Sequence, residues 1–289
     1  MNLFVFGLGY TARHFAERER ARFGVVRGTV TETDRAEAIA AETGFAMRTF
    51  GPDSDDPRIA ADLADTDILL ISAPPTQSGD TVLARHRDAI AGSRISWIGY
   101  LSTIGVYGDQ GGAWIDETEP ALPKSGRSKG RLEAEEAWLS LGYEAGKPVQ
   151  VFRLSGIYGP GRNPITKLRE GKSQRIVKAG QVFNRIHVDD IATTLAASIE
   201  RPRGGAVYNV TDDEPTAPQV VIEHAAEITG LPLPPEVDFE TADLSPMARS
   251  FYGENKRVRN RLIREELGVR LAYPTYREGL AGLVADAAG

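Results

Sequence analysis

The chain contains no cysteine among its 289 residues. That absence excludes a disulfide framework, a thiolate zinc or iron–sulfur site and a thiol nucleophile together. Histidine is scarce: His14, His86, His187 and His224 are the only four, and their scatter has no metal-ligand spacing, so no metal centre is expected. Long apolar runs are missing as well. The longest, Leu3 to Gly9 and Ile68 to Pro75, fall far short of the roughly 20 residues that cross a bilayer, so no membrane span is expected. The first residues do not read as a basic leader followed by a cleavable apolar stretch, which points to a cytoplasmic protein. A surplus of basic charge is lacking too. With a formal net charge of −6 the chain is not expected to bind nucleic acid, while a local pocket for one anionic small ligand stays open.

What is present is enough apolar material for a large core, 41% of the residues. Short β-rich runs at Leu3–Phe6, Gly24–Thr29, Ile68–Ser72, Ser96–Leu101 and Val149–Leu154 alternate with helical patterns. Thr11 to Phe23, Thr81 to Ala91 and Leu132 to Leu141 each carry an apolar stripe suited to lying on a sheet. This order predicts an α/β fold with a doubly wound parallel sheet, and a ligand crevice beyond the carboxyl ends of the strands. The residues that follow those strands are rich in Gly, Ser, Thr and Pro. After about Arg162 proline becomes frequent and the alternation fades. The expected division is a dinucleotide-binding domain over 1–160, to which 185–210 returns, and a smaller C-terminal substrate lobe from 161–184 and 211–289.

The first strand runs straight into Gly7-Leu8-Gly9-Tyr10-Thr11-Ala12. Gly7 and Gly9 permit a tight turn and close backbone approach to a pyrophosphate, Ala12 takes the packing position, and the following helix aims its free amides at the phosphates. Its place between a strand and a helix gives the motif its meaning as a Rossmann-type dinucleotide loop. The expected cofactor contacts are Gly7, Gly9, Tyr10, Thr11, Ala12, Thr29, Thr31, Ser72, Ala73, Pro74, Ser102 and Ser155. The second strand ends in Thr29-Val30-Thr31-Glu32, which leaves NAD and NADP equally open. Glu32 is either the acid that bonds a ribose or a solvated residue at a helix start.

Three further segments carry a family resemblance: Leu101-Ser102-Thr103-Ile104-Gly105-Val106-Tyr107-Gly108, Arg153-Leu154-Ser155-Gly156-Ile157-Tyr158-Gly159-Pro160-Gly161, and Arg185-Ile186-His187-Val188-Asp189-Asp190-Ile191-Ala192. With the glycine loop they resemble, in order and over residues 1 to about 210, the extended short-chain dehydrogenase/reductase superfamily of nucleotide-sugar epimerases and dehydratases. That family pairs a Ser or Thr with a Tyr and a Lys four residues on. A phenol with a pKa near about 10 becomes a usable base when a neighbouring ammonium lowers it.

The resemblance implies Thr103 as the hydroxyl and Lys129 as the lysine. It puts Ser125 in the tyrosine position, and a serine hydroxyl ionises too reluctantly to replace a phenol unaided. The chain therefore resembles the superfamily's atypical members. Tyr107 and Tyr158 follow strand ends, as alternative acid/bases or as packing aromatics. Lys129 either bonds the nicotinamide ribose or is a solvated helix lysine.

Arg162 and Asn163 stand where this family places substrate contacts, and Arg162 suits a diphosphate. Asp189 and Asp190 read as a helix N-terminus, and His187 as a hydrogen-bonded structural residue or a crevice residue. The basic run Lys256 to Arg264 reads as an amphipathic helix ended by Gly268, from which Arg257 can reach an anionic substrate. The stripe from Leu132 to Leu141 offers a sheet-packing face or a homodimer face. Two functions follow: an NAD(P)-dependent oxidoreductase, epimerase or dehydratase acting on a nucleotide sugar or similar small molecule, or a non-catalytic dinucleotide-binding sensor.

Overall fold

A computed structural model describes residues 1–286. The chain runs through β1 (Asn2–Phe6), α1 (Tyr10–Arg18), β2 (Val25–Val30), α2 (Thr33–Thr43), β3 (Ala46–Gly51), β4 (Ser54–Asp55), α3 (Ile59–Ala64), β5 (Ile68–Ile71), α4 (Thr81–Ala91), β6 (Trp97–Thr103), β7 (Trp114–Ile115) and α5 (Gly126–Ala145). It continues through β8 (Val149–Leu154), β9 (Gly156–Tyr158), α6 (Pro164–Arg169), β10 (Arg175–Val177), β11 (Arg185–His187), α7 (Val188–Glu200), β12 (Ala206–Val210), α8 (Pro218–Thr229), β13 (Glu236–Asp238), α9 (Pro246–Phe251), β14 (Arg257–Val258), α10 (Arg261–Glu265) and α11 (Tyr276–Asp286).

Eight strands form one sheet in the order β12-β8-β6-β5-β1-β2-β3-β4. All neighbours are parallel except β3 and β4. The sequence explains the burial on both faces. In β1, Leu3 and Val5 point into one helical layer with Phe15 of α1 and Leu195 of α7, while Phe4 and Phe6 point into the other with Val82 of α4 and Trp138 of α5. Near-continuous apolar strands of this kind belong to parallel sheets covered on both sides. From β1 the chain steps outward to β2 and β3, then crosses back to β5 on the other flank of β1. The strand order therefore reverses between β1 and β5, where such folds open a ligand crevice.

The expected strands are present with shifts of a residue or two. β3 was not anticipated, because Met47 and Phe50 are its only buried large apolar side chains. The first helix stops at Arg18, short of Phe23, which instead follows a 3₁₀ turn at Arg20–Arg22 and meets the Phe15 ring at 6.0 Å. The basic run is corrected: Arg257 and Val258 form a strand on β7, and only Arg261–Glu265 is α-helical. Backbone pairing to β7 wins there over the helical pattern.

Polar groups tie the C-terminal segments to the sheet. The paired aspartates lie in the first turn of α7, at the helix N-terminus as expected, but the cap is His187, whose ring nitrogen accepts the Asp189 N–H at 3.2 Å. Asp189 instead binds His14 at 2.5 Å and Arg18 at 3.0 Å, joining α7 to α1. Buried Asp190 accepts the backbone N–H groups of Ala272 and Tyr273 at 2.7 and 3.0 Å.

Asp212, just past β12, is 1% exposed, and burial pushes its carboxyl up to about 8 despite the Arg185 guanidinium nearby. An unfolded Asp loses its proton near about pH 4, so the folded state binds more protons between there and about 8. Stability is therefore expected to fall as pH rises through that window, by up to roughly 1.4 kcal/mol per pH unit, and to level off above it. Urea denaturation across the window checks this: Asp212→Asn should flatten the slope and gain most over the wild type at the alkaline end.

Candidate active site

The crevice begins at Gly7. Its φ is +82°, a conformation that favours glycine, and a Cβ there would lie 2.6 Å from the backbone N of Ala73. The loop after β1 is thus pressed against the loop after β5. Ser72 and Ala73 hold the contact by donating their N–H groups to the Phe6 carbonyl at 2.8 and 2.9 Å. On the other flank, Gly7 N–H donates to Thr29 Oγ1 at 2.9 Å, and Leu8 N–H to the Thr29 carbonyl at 2.7 Å. Thr29, 1% exposed, therefore anchors the loop with its hydroxyl.

Gly9 precedes α1, whose first turn contains no acidic residue. A Cβ on Gly9 would meet nothing within 4 Å, so this side of the loop is open. Thr11 and Ala12 are buried and seat the helix on the core. An open glycine at a helix N-terminus without a competing carboxylate suits a pyrophosphate. Thr31, Glu32 and Pro74 are exposed beside it, and Glu32 makes no side-chain cap to α2.

The other half of the crevice is built where α5 meets β6. A Cβ on Gly130 would approach Pro75 at 3.9 Å, so the start of α5 faces the β5 loop. Ser125 is the N-cap of α5: its hydroxyl accepts the Ser128 N–H at 3.1 Å and donates to Ser128 Oγ at 2.9 Å. Thr103 Oγ1 accepts the Gly105 N–H at 3.1 Å. A Cβ on Gly105 would lie 2.9 Å from Ser128 Oγ and 3.3 Å from Thr103 Oγ1, so the hydroxyls of Thr103, Ser128 and Ser125 form one cluster. Lys129 follows in the first turn, exposed.

Several expected contacts are committed elsewhere. Buried Ser102 donates to the Glu135 carboxylate, which pairs with Arg153 at 2.7 Å. Ser155 donates to the Val210 carbonyl at 3.3 Å, joining β8 to β12. Tyr107 is fully buried under the Arg153 guanidinium, 4.7 Å from its ring, and its hydroxyl donates to Asn209 Oδ1 at 2.8 Å. Tyr158 packs against α11 and donates to the Thr275 carbonyl at 3.4 Å. Burial pushes both phenols up from their ordinary value, so neither is poised to accept a proton.

Asn163 caps α6 by accepting the Thr166 N–H at 2.9 Å, and its amide donates to the Gly159 carbonyl at 2.9 Å. Arg257 donates to the Gly112 carbonyl, stitching β14 to the loop before β7. Arg162 is exposed and lies over the Tyr10 ring.

Sequence reasoning missed Ser128, Glu135 and Glu117. Glu117 is half-buried and accepts the Asn209 N–H at 2.8 Å, and burial raises its carboxyl above the usual range. A signal for the Glu135–Arg153 pair did exist: one charge sits on the apolar face of α5 beside Ala134 and Trp138, the other inside an apolar strand. Two such charges can be buried only together. Among the described residues no group of three or more His, Asp or Glu could hold a metal ion, and no helix is long and apolar enough to cross a membrane.

The reversal of strand order and the glycine loop define the class: a Rossmann-type α/β fold, shared with dTDP-glucose 4,6-dehydratase from Bacillus anthracis, which superposes with a TM-score of 0.76 at 17% identity. UDP-glucuronic acid 4-epimerase from Bacillus cereus, solved in complex with NAD, superposes with a TM-score of 0.77 at 16% identity over 99% of each chain, a likeness of fold alone. Protein YeeZ of Escherichia coli K12 is 30% identical over 288 residues, 93% of this chain and 95% of that one. The chain belongs to the YeeZ family. A solved structure of a functionally unknown conserved protein from Silicibacter pomeroyi matches with a TM-score of 0.90 at 52% identity, over 99% of this chain and 98% of that one. No family model matches the chain.

Gly7→Ala is expected to open the loop, because the new methyl meets backbone and the φ is strained. The midpoint of urea unfolding should drop by the equivalent of roughly 1–3 kcal/mol, with amide exchange accelerated at Leu8 and Ala73. An unchanged midpoint would show that the contact with Ala73 is not tight.

Proposed function

We propose that the chain binds NAD or NADP between β1 and β5 and acts as a nicotinamide-linked oxidoreductase on a nucleotide sugar or similar hydroxylated metabolite. The observation that carries this reading is the glycine loop: Gly7 in its left-handed turn, Gly9 open to the crevice, and α1 with no acid in its first turn. The complex of the Bacillus cereus neighbour with NAD supports it. The amides of Tyr10 and Thr11, at the open start of α1, would hold the pyrophosphate, Thr31 would lie at the adenosine ribose, and Ser72, Ala73 and Pro74 would line the floor, while the Gly9 amide stays within the loop on the Gly7 carbonyl at 2.7 Å. Segments 161–184 and 211–289 would form the substrate lobe.

When bound, the dinucleotide supplies hydride transfer, and proton management falls to the chain's own groups. With Tyr107 and Tyr158 committed to buried partners, the groups at hand are the Thr103 and Ser125 hydroxyls and the Lys129 ammonium. These are poor at removing a proton from a neutral hydroxyl but adequate at donating one to an oxyanion. The favoured direction is therefore reduction: Thr103 orients a substrate carbonyl, and Lys129 stabilises and protonates the oxygen that becomes charged. One observation favours the non-catalytic reading instead. Ser125 both accepts the Ser128 N–H and donates to Ser128 Oγ, so its hydroxyl is occupied as a helix cap.

Fluorescence titration with NADH and NADPH, followed by nicotinamide absorbance across a panel of keto-sugar nucleotides, separates these readings. Turnover is expected, with Lys129→Met lowering kcat by about two orders of magnitude and leaving dinucleotide affinity within a few-fold. Tight binding with no turnover on any panel member would leave the sensor reading standing for those substrates. Failure to bind either dinucleotide would overturn both.

A further inference from the structure

The turn after β9 is built around a missing side chain. Gly159 and Arg162 exchange two backbone hydrogen bonds, at 3.0 and 3.1 Å, which closes a tight loop. A Cβ on Gly159 would lie 2.7 Å from the Tyr10 hydroxyl. That space is used: Tyr10, the residue after Gly9 in the phosphate loop, donates to the Pro160 carbonyl at 3.1 Å. Asn163 fixes the far side of the turn through the Gly159 carbonyl. The turn thus rests on the glycine loop through Tyr10, and its position is determined at both ends.

Arg162 projects from this turn, and its guanidinium carbon sits 5.7 Å from the centre of the Tyr10 ring. Among the described residues no ion pair joins it to a carboxylate, unlike Arg13 and Arg18 on α1, which pair with Glu42 and Asp189. An unneutralised arginine is therefore held on a rigid turn against the residue that opens α1. A cation over a ring at an exposed site is worth less than a charge-assisted, two-pronged bond to a phosphate, so the present seat is readily exchanged for an anion.

We infer that Arg162 is a clamp for the pyrophosphate of the dinucleotide, closing over it from the substrate side and leaving the Tyr10 ring when the ligand enters. This rests on the dinucleotide reading above and reassigns Arg162 from the diphosphate of a substrate to that of the cofactor. Tyr10 is its seat in the free protein and the hinge contact through Pro160.

Affinities of wild type, Arg162→Ala and Arg162→Lys for NADH, ADP-ribose and adenosine, measured by fluorescence and calorimetry, test the assignment. ADP-ribose carries the pyrophosphate without the nicotinamide, and adenosine carries neither. Arg162→Ala should weaken NADH and ADP-ribose by the same factor, about tenfold or more, and leave adenosine unchanged. Arg162→Lys, a point charge without the fork, should fall between. Because Arg162 is exposed, the thermal midpoints of the free proteins should coincide. Equal affinity of wild type and Arg162→Ala for ADP-ribose would overturn the clamp while leaving dinucleotide binding intact. A wild type that binds neither NADH nor ADP-ribose would overturn both.

Discussion

The close approach of Gly7 to Ala73 is the contact on which the rest of the crevice depends. It brings together two strand ends that are distant in sequence, since the chain passes through β2, β3 and β4 before returning as β5 on the other flank of β1. At that reversal the crossovers run to opposite faces of the sheet, so no helix fills the space above the strand ends. A side chain at Gly7 would force the two loops apart. Because Gly7 also donates to Thr29, displacing it would disturb the end of β2 as well. One glycine therefore sets the relative positions of three strand ends.

A second constraint acts beneath the other half of the crevice. Glu135 and Arg153 are 1% and 7% exposed, and their pairing removes two charges from water at considerable cost unless every remaining lone pair and proton is used. Ser102, Glu135 and Arg153 supply those bonds, with the Tyr107 ring under the guanidinium. The network holds α5 against β6 and β8. It also determines which groups remain for chemistry, since Ser102 and Tyr107, which the sequence order places beside the crevice, are drawn inward to satisfy the pair.

Much of this was legible beforehand, for identifiable reasons. The parallel strands were readable because burial on both faces leaves near-continuous apolar runs, and the glycine loop because its backbone geometry admits few residue types. β3 was not, because it lies toward the sheet margin and carries only two large buried apolar side chains. The direction of a phenol or a carboxylate is set by partners far along the chain, as for Tyr107 with Asn209 or Asp190 with Ala272, and no local pattern reports such a partner. The strand at Arg257 escaped for the same reason: its register comes from Trp114, in another part of the chain.

Ser125 stands where the resemblance implies a tyrosine, and its side chain serves the fold instead. A tyrosine cannot cap a helix with its side chain, whereas serine is among the better N-caps, typically worth about 1 kcal/mol relative to alanine. At Ser125 the hydroxyl takes up the Ser128 N–H and begins a helix of 20 residues. That helix carries Glu135 to Arg153 and Trp138 into the core. The residue that the resemblance would cast as a base thus contributes to stability, and the crevice keeps its shape. The glycine loop is indifferent to this exchange, because its geometry is fixed from β1, β2 and β5. The proposed dinucleotide binding and any hydroxyl oxidation would therefore be physically separable here, the first resting on backbone at the strand reversal and the second on a phenol that the start of α5 does not provide.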